Sequence, residues 1–154
     1  MNGIKLYRIA NYLYRHNIPL LPKIIQRLSY LLFNAHIPYQ ATIGDDTMLG
    51  YGGMGIVIHT NAIIGKSCMI LQQVTIGTNV PYFDQAKAHP VPEIGDNVYI
   101  GSGAKILGGI QIGDGSVIGA NSVVTHDVPA GSLVLGIPGR VIKQIKNKAI
   151  IFND

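Results

Sequence analysis

The sequence predicts an all-β fold: a parallel β-helix of hexapeptide repeats, with a short N-terminal α-helical arm and a C-terminal helical tail. Three observations carry that expectation. Between Glu93 and Thr125 an aliphatic residue recurs every six positions, at Ile94, Ile100, Ile106, Ile112, Ile118 and Val124. Glycine follows four of these anchors, at Gly95, Gly101, Gly113 and Gly119. Two positions before each anchor stand Pro92, Val98, Ala104, Ile110, Ser116 and Ser122, mostly small or β-branched. A period of six is neither the 3.6 of an α-helix nor the 2 of a half-buried strand, so it reports a repeat architecture. One such unit is too short to bury its own anchor. Stacked units share a column of Ile and Val, each worth ~1.5–3 kcal/mol on full burial. The glycine after each anchor is expected to supply a bend at φ > 0, open to a residue without a Cβ.

At 154 residues the chain is expected to form one domain with appendages. The segments read as a helical arm over 1–36, the coil over 37–136 with a projecting loop at 78–92, and a basic tail over 137–154. In the arm, Ile4, Tyr7 (or Leu6), Ile9 and Leu13 stand at helical spacing across residues 3–16. Asn17-Ile18-Pro19 interrupts the pattern, because a residue before proline avoids the α region. A second helix follows from about Pro22 to Phe33, with proline in its first turn. The repeat opens at Ala41-Thr42-Ile43-Gly44 and continues at Leu49-Gly50. The next anchor belongs at residue 55 but falls at Ile58, a three-residue, glycine-rich insertion. The six-step resumes at Ile64, Ile70 and Ile76. After Gly77 it stops, and residues 78–91 have no aliphatic column. Loops on a rigid scaffold concentrate function, so this loop is a candidate site. Beyond Val124, a turn at Asp127-Val128-Pro129-Ala130-Gly131 leads to a strand at Leu133–Leu135. A short basic helix carrying Arg140, Lys143, Lys146 and Lys148 is expected to end near Ile150.

Composition narrows the function classes. Cys68 is the single cysteine, so no intramolecular disulfide can form, and its place two before Ile70 reads as a packed thiol. The net charge of +4 is uneven: residues 1–44 hold five basic residues and no acid, while the rest hold seven basic and eight acidic. With no basic face on the body, nucleic-acid binding is not expected. The arm has two readings, a cap on the open end of the coil or a peripheral contact with an anionic membrane. No 18-residue apolar run and no signal-peptide pattern is present, which points to the cytoplasm, at most peripheral to the inner face of the membrane.

These motifs together resemble the hexapeptide-repeat acyltransferases, and within them the serine O-acetyltransferase branch and its relatives that acetylate sugars of surface polysaccharides. The resemblance covers about Ile37 to Lys143. Its motifs are GIVI at 55–58, VTIG at 74–77 before the loop, HP at 89–90, the run from Ile94 to Val124, and VPAGSLVLGIPGRVIK at 128–143. It implies a left-handed β-helix, a homotrimer, acetyl-CoA as acyl donor between adjacent subunits, and transfer of acetyl to a hydroxyl of L-serine or of a sugar. An alcohol needs a base to take its proton, and histidine is suited to this near neutral pH. No cluster has metal-ligand spacing, so no metal is expected.

Five histidines can be weighed. His89 matches a loop histidine of the serine enzymes, although Ala88 stands where they carry Arg. His59 directly follows anchor Ile58, where most anchors are followed by glycine. His36 falls where the serine enzymes carry an Asp. His16 and His126 read as exposed. The resemblance implies a catalytic role for His89; His59, at the break in the anchor-glycine rhythm, is a second candidate base, and Tyr51 a candidate hydroxyl. The resemblance places Gly77 and Thr78 at the pantetheine arm, Ser102 and Ala120 along a narrow channel, and Arg140 and Lys143 at the coenzyme phosphates.

The sequence also departs from the serine enzymes. Gly50 and Tyr51 stand where those enzymes carry the catalytic Asp-His pair, and the groups that hold a free amino acid's charges are not visible at matching positions. Two alternatives therefore accompany the enzyme reading. One is a catalytically degenerate trimeric scaffold; the other is a nucleotide-sugar N-acetyltransferase.

Overall fold

The computed structural model describes residues 2–80 and 90–145. Two helices, α1 (Gly3–Arg15) and α2 (Leu21–Phe33), precede a coil of short strands. The first turn of the coil holds β1 (Thr42–Ile43), β2 (Met48–Leu49) and β3 (Val57–Ile58). The second holds β4 (Ile63–Ile64), β5 (Met69–Ile70) and β6 (Thr75–Gly77). The third holds β7 (Glu93–Ile94), β8 (Tyr99–Ile100) and β9 (Lys105–Leu107), and the fourth β10 (Gln111–Ile112), β11 (Val117–Ile118) and β12 (Val123–Val124). Strands β13 (Ser132–Leu135) and β14 (Arg140–Gln144) close it.

From β1 to β12 consecutive strands go to different sheets, and each of β1 to β9 pairs in parallel with the strand three later, so the coil has three flat faces. The orders are β1-β4-β7-β10, β2-β5-β8-β11-β13-β14, and β3-β6-β9-β12. Register stacks each anchor on the next. Ile43, Ile64, Ile94 and Ile112 form one column. Leu49, Ile70, Ile100, Ile118 and Val134 form the second. Ile58, Ile76, Ile106 and Val124 form the third. All are buried, as are the residues two before them in the regular run. An uninterrupted turn takes 18 residues, as from Ile94 to Ile112. The paired residues Ile43 and Ile64 are 21 apart, three more, which is the insertion at 50–53. Ile64 and Ile94 are 30 apart, so the loop region adds twelve residues to its turn.

Hydroxyls inside the coil are satisfied, as burial requires. Thr47 Oγ1 donates to the Gly65 carbonyl at 2.8 Å and accepts from the Cys68 N–H at 3.0 Å. Ser116 and Ser132 both donate to the Pro129 carbonyl, at 3.1 and 2.6 Å, and Ser122 accepts from the Gly136 N–H at 3.1 Å. Cys68 is buried, with its thiol donating to the Gly95 carbonyl at 3.1 Å.

The expectation for the glycines is corrected. None of Gly95, Gly101, Gly113 and Gly119 is in the left-handed region. That conformation falls two residues later, at Asn97, Gly103, Gly115 and Asn121. The glycine after the anchor is needed for space between turns. A Cβ on Gly113 would lie 2.4 Å from the Ala130 nitrogen, and one on Gly101 would lie 2.6 Å from the Ala120 nitrogen.

Helix α1 caps the first turn. Asn2 accepts from the Ile4 N–H at its start. The buried residues are Gly3, Ile4, Leu6, Tyr7 and Ala10, so the packed face is rotated from the expected one: Ile9 is 52% exposed and Leu13 only partly buried. The reason is polar. Strand β1 is an edge strand with unpaired carbonyls, and α1 turns Tyr7, Arg8 and Asn11 toward that edge. The Tyr7 hydroxyl donates to the Ala41 carbonyl at 2.6 Å and accepts from the Ile43 N–H at 3.2 Å. Arg8 donates to the carbonyls of Ile43 and Gly44, and Asn11 to that of Tyr39.

The tail is also corrected. Residues 140–144 are not helical but form β14, antiparallel to β13, with Leu135 opposite Arg140 and Leu133 opposite Lys143. The free edge of β13 offers hydrogen-bonding groups that a helix would leave unpaired, and Val141 and Ile142 are β-branched. Lys146, Lys148 and the expected end near Ile150 lie outside the described residues.

Candidate active site

The corner that follows the third face brings the chemistry-bearing residues together. There β3 ends at Ile58, which stacks on Ile76 of β6, so His59 lies over Gly77. The His59 N–H donates to the Ile76 carbonyl at 2.8 Å, and its carbonyl accepts from the Ala62 N–H at 3.0 Å. The ring is half-buried, and Nδ1 accepts from the Asn61 N–H at 3.2 Å. His36 joins the same face from outside the coil as a one-residue bridge to Val57. Its N–H donates to the Ile56 carbonyl at 2.8 Å, and its carbonyl accepts from Ile58 at 2.9 Å. His36, Val57, His59, Thr75, Gly77 and Thr78 line a pocket of about 290 Å³, with the fully buried anchors Ile58 and Ile76 at its base. Among the described residues, a Cβ placed on Gly77 would meet nothing within 4 Å, unlike the other glycines that follow anchors. Packing therefore does not require glycine at this position; its missing side chain leaves the pocket wall open.

The other sequence candidates lie elsewhere. Tyr51 sits in the 3₁₀ turn Gly50–Gly53 at φ 50°, 74% exposed, at the opposite edge of the third face from His59. Ser102 and Ala120 stack two residues past Ile100 and Ile118, on the same edge as Tyr51. The Asn121 N–H donates to the Ser102 carbonyl at 2.8 Å, and Ser102 Oγ donates to Gln72 Oε1 at 3.1 Å. Arg140 and Lys143 are exposed on β14, five strand spacings along the coil from β2, or roughly 24 Å at about 4.8 Å each. Within one chain, His59, Gly77 and Thr78 are thus together, while Tyr51, Ser102, Ala120, Arg140 and Lys143 are apart from them. His89 lies outside the described residues. Among the described residues no cluster of three potential metal ligands is present.

Thr60 and Thr75 also line the pocket, and the six-step reading did not single them out. The signal was available in the turn length. Eighteen residues separate Val57 from Thr75, so Thr75 lies directly behind Val57.

Residues 92–126 match the family model for the bacterial transferase hexapeptide (six repeats). The chain is a hexapeptide-repeat protein similar to the serine acetyltransferases. It is 43% identical over 136 residues to the serine acetyltransferase of Synechococcus elongatus, covering 88% of this chain and 54% of that enzyme. With the serine acetyltransferase of Bacillus subtilis it shares 41% over 144 residues, covering 94% of this chain and 64% of that enzyme. The hexapeptide-repeat protein therefore spans between about half and two thirds of the length of these curated relatives. Among solved structures, a serine acetyltransferase in complex with cysteine superposes with a TM-score of 0.82 at 35% identity, covering 94% of this chain and 54% of that one. The Brucella abortus serine acetyltransferase in complex with coenzyme A gives 0.83 at 33%, covering 92% and 55%.

Proposed function

We propose that the protein is an acetyl-CoA-dependent O-acetyltransferase of the serine acetyltransferase kind, folded as a left-handed β-helix and active as a homotrimer. The observation that carries this reading is the shared pocket of His59, Gly77 and Thr78. The exposed Val57 side chain and the open Gly77 suit the slim arm of acetyl-CoA, which enters as a substrate and supplies an activated acetyl thioester. The likeness to serine acetyltransferases, one of them in complex with coenzyme A, supports the same donor. The acceptor is a hydroxyl, of L-serine or of a surface-polysaccharide sugar. In a trimer the edge carrying Tyr51, Ser102 and Ala120 can face the His59 edge of a neighbour, while Arg140 and Lys143 meet the coenzyme phosphates.

In this reading His59 takes the hydroxyl proton as the acceptor oxygen attacks the thioester carbonyl carbon. The tetrahedral adduct expels the thiolate, and the proton returns to the sulfur. The Asn61 contact puts the proton of the neutral ring on Nε2. Proton uptake therefore occurs at Nδ1 once the long Asn61 bond opens, or at Nε2 after a tautomer change. His89 and Tyr51 complete the site from the loop and from the opposite edge. No metal takes part.

Acetyl-CoA consumption with serine, hexoses and an amino sugar tests this directly, the amino sugar covering the N-acetyltransferase alternative. His59→Ala should cut kcat at least 100-fold. Unchanged turnover in His59→Ala and His89→Ala, or none with any acceptor, would favour a non-catalytic trimeric scaffold. The specific observation behind that second reading is Gly50-Tyr51 in place of the family's Asp-His pair.

A cytoplasmic location is part of the proposal. No helix among the described residues is long and apolar enough to cross a membrane. The arm's basic charge and the exposed Leu21, Ile24, Leu28 and Leu31 of α2 fit a peripheral contact with the inner face of the membrane. Co-sedimentation with anionic vesicles tests it; protein left in the supernatant would leave the cap as the arm's role.

A further inference from the structure

Two cavities meet at His36 and Thr60. One is the pocket beside His59; the other, of about 440 Å³, lies between α2 and the entry to the coil. Lys23, Arg27 and Tyr30 line the second cavity from α2, and their spacing puts them on one face of that helix. His36, Gln40 and Thr60 line it from the coil side. None of the described residues lining it is acidic. Lys23 and Arg27 are exposed, and the ion pair found among the described residues is Arg8 with Asp45, elsewhere on the arm. Two like charges one turn apart on a helix disfavour each other, so this pair does not help the helix form. An anion held between them would reverse that repulsion. Arg and Lys beside neutral hydroxyl and amide groups, with no carboxylate, match the chemistry of a phosphate. The volume falls in the range of ~300–1,000 Å³ typical of small organic ligands.

We propose that this cleft binds the phosphate or diphosphate of a sugar acceptor, so that the sugar's hydroxyl reaches the adjoining pocket at His59. The inference rests on the transferase reading for the fate of the hydroxyl, but the phosphate contact stands by itself. Lys23 and Arg27 are binding residues here, remote from the reacting atoms. The phosphate could arrive on a soluble nucleotide or on a lipid carrier, and the cleft's chemistry is shared by both.

The test is calorimetric titration of the intact protein with inorganic pyrophosphate, uridine diphosphate and a short-chain prenyl diphosphate, alongside acetyl-CoA. Wild type should bind at least one diphosphate. The Lys23→Gln/Arg27→Gln double variant should bind it at least tenfold more weakly while its acetyl-CoA affinity changes less than twofold. Preference for uridine diphosphate would mark a nucleotide-linked acceptor, and preference for the prenyl diphosphate a lipid-linked one; either supports the cleft. The proposal is overturned if wild type binds no diphosphate, if the double variant binds as well as wild type, or if acetyl-CoA affinity falls in parallel, which would make the cleft part of the donor site. Because binding is read without turnover, these failures are separate from loss of the transferase reading, which His59→Ala kinetics decide.

Discussion

The backbone N–H of His59 donates to the carbonyl of Ile76 at 2.8 Å, and this bond stacks the His59 corner on the Gly77 corner one turn further along. The two residues therefore share a wall although 18 positions separate them. Gly77 has no neighbour among the described residues within 4 Å of where a Cβ would be, so a side chain there enters the pocket without disturbing the coil. Gly77→Val should leave unfolding free energy within about 0.5 kcal/mol of wild type. Its KM for acetyl-CoA should rise at least tenfold. An unaltered KM would remove Gly77 from the proposed donor site.

Gly113 is the opposite case. A Cβ there would lie 2.4 Å from the nitrogen and 2.6 Å from the Cα of Ala130. Both are backbone atoms, which cannot swing aside as a side chain can. Gly113→Ala should destabilise the fold by ~1–3 kcal/mol, the usual range for overpacking. Equilibrium denaturation in urea would show it as a lower midpoint, and an unchanged midpoint would mean that the turns can separate locally.

Tyr7 joins α1 to the coil through one hydroxyl that donates to Ala41 and accepts from Ile43. Removing it strands a carbonyl and an N–H at a buried edge. Tyr7→Phe should cost ~1–3 kcal/mol, the range for leaving buried groups unpaired. Amide exchange at Ile43 should speed up more than exchange at Ile112, three strands away on the same face. Equal acceleration at both would indicate a global effect and no local cap.

Alkaline pH should weaken the fold in two steps. Burial pushes the Cys68 thiol above its ordinary value of 9.0 and the Tyr7 hydroxyl above its ordinary value of 10.0. Both are acids that ionise more readily in the unfolded chain, which then binds fewer protons than the folded one. Stability is thus intact below pH 9 and declines as pH rises above it. Cys68→Ala, a change to the residue found in the equivalent slots at Ala62 and Ala104, should delay the onset of that decline toward pH 10. Denaturation midpoints from pH 8 to 11 would show the difference. The same burial should make the native thiol slow toward a thiol-specific reagent at pH 8.

The coil was legible because its core contacts recur along the chain. Ile94 through Val124 mark the interior without any knowledge of which strands pair, and the three-residue insertion before Ile58 could be counted directly. The twelve residues added in the loop region could not, since the distance from Ile76 to Ile94 is itself a multiple of six and mimics an unbroken ladder. The role of Gly113 was misread for a related reason. A glycine after a strand looks like a bend, while its actual constraint is Ala130 on the next turn. His59 was visible as a break in the anchor-glycine rhythm. Lys23 and Arg27 were visible only as charge, because the spacing of α2 residues does not say what the helix faces.

From the sequence alone came the repeat length, the buried columns, the two helices of the arm, and the two places where the rhythm breaks. These follow from local periodicity, since every six-residue unit must hide its anchor in the same way. The tertiary structure decided which corners stack, and hence that His59 meets Gly77 and Thr78 while Tyr51 lies across the face. It also set the rotation of α1 and turned the expected tail helix into β14. Those outcomes depend on unpaired backbone groups at the two ends of the coil, at β1 and at β13. Such edges exist only after the chain has folded, and the segments that meet them are chosen by hydrogen bonding across space.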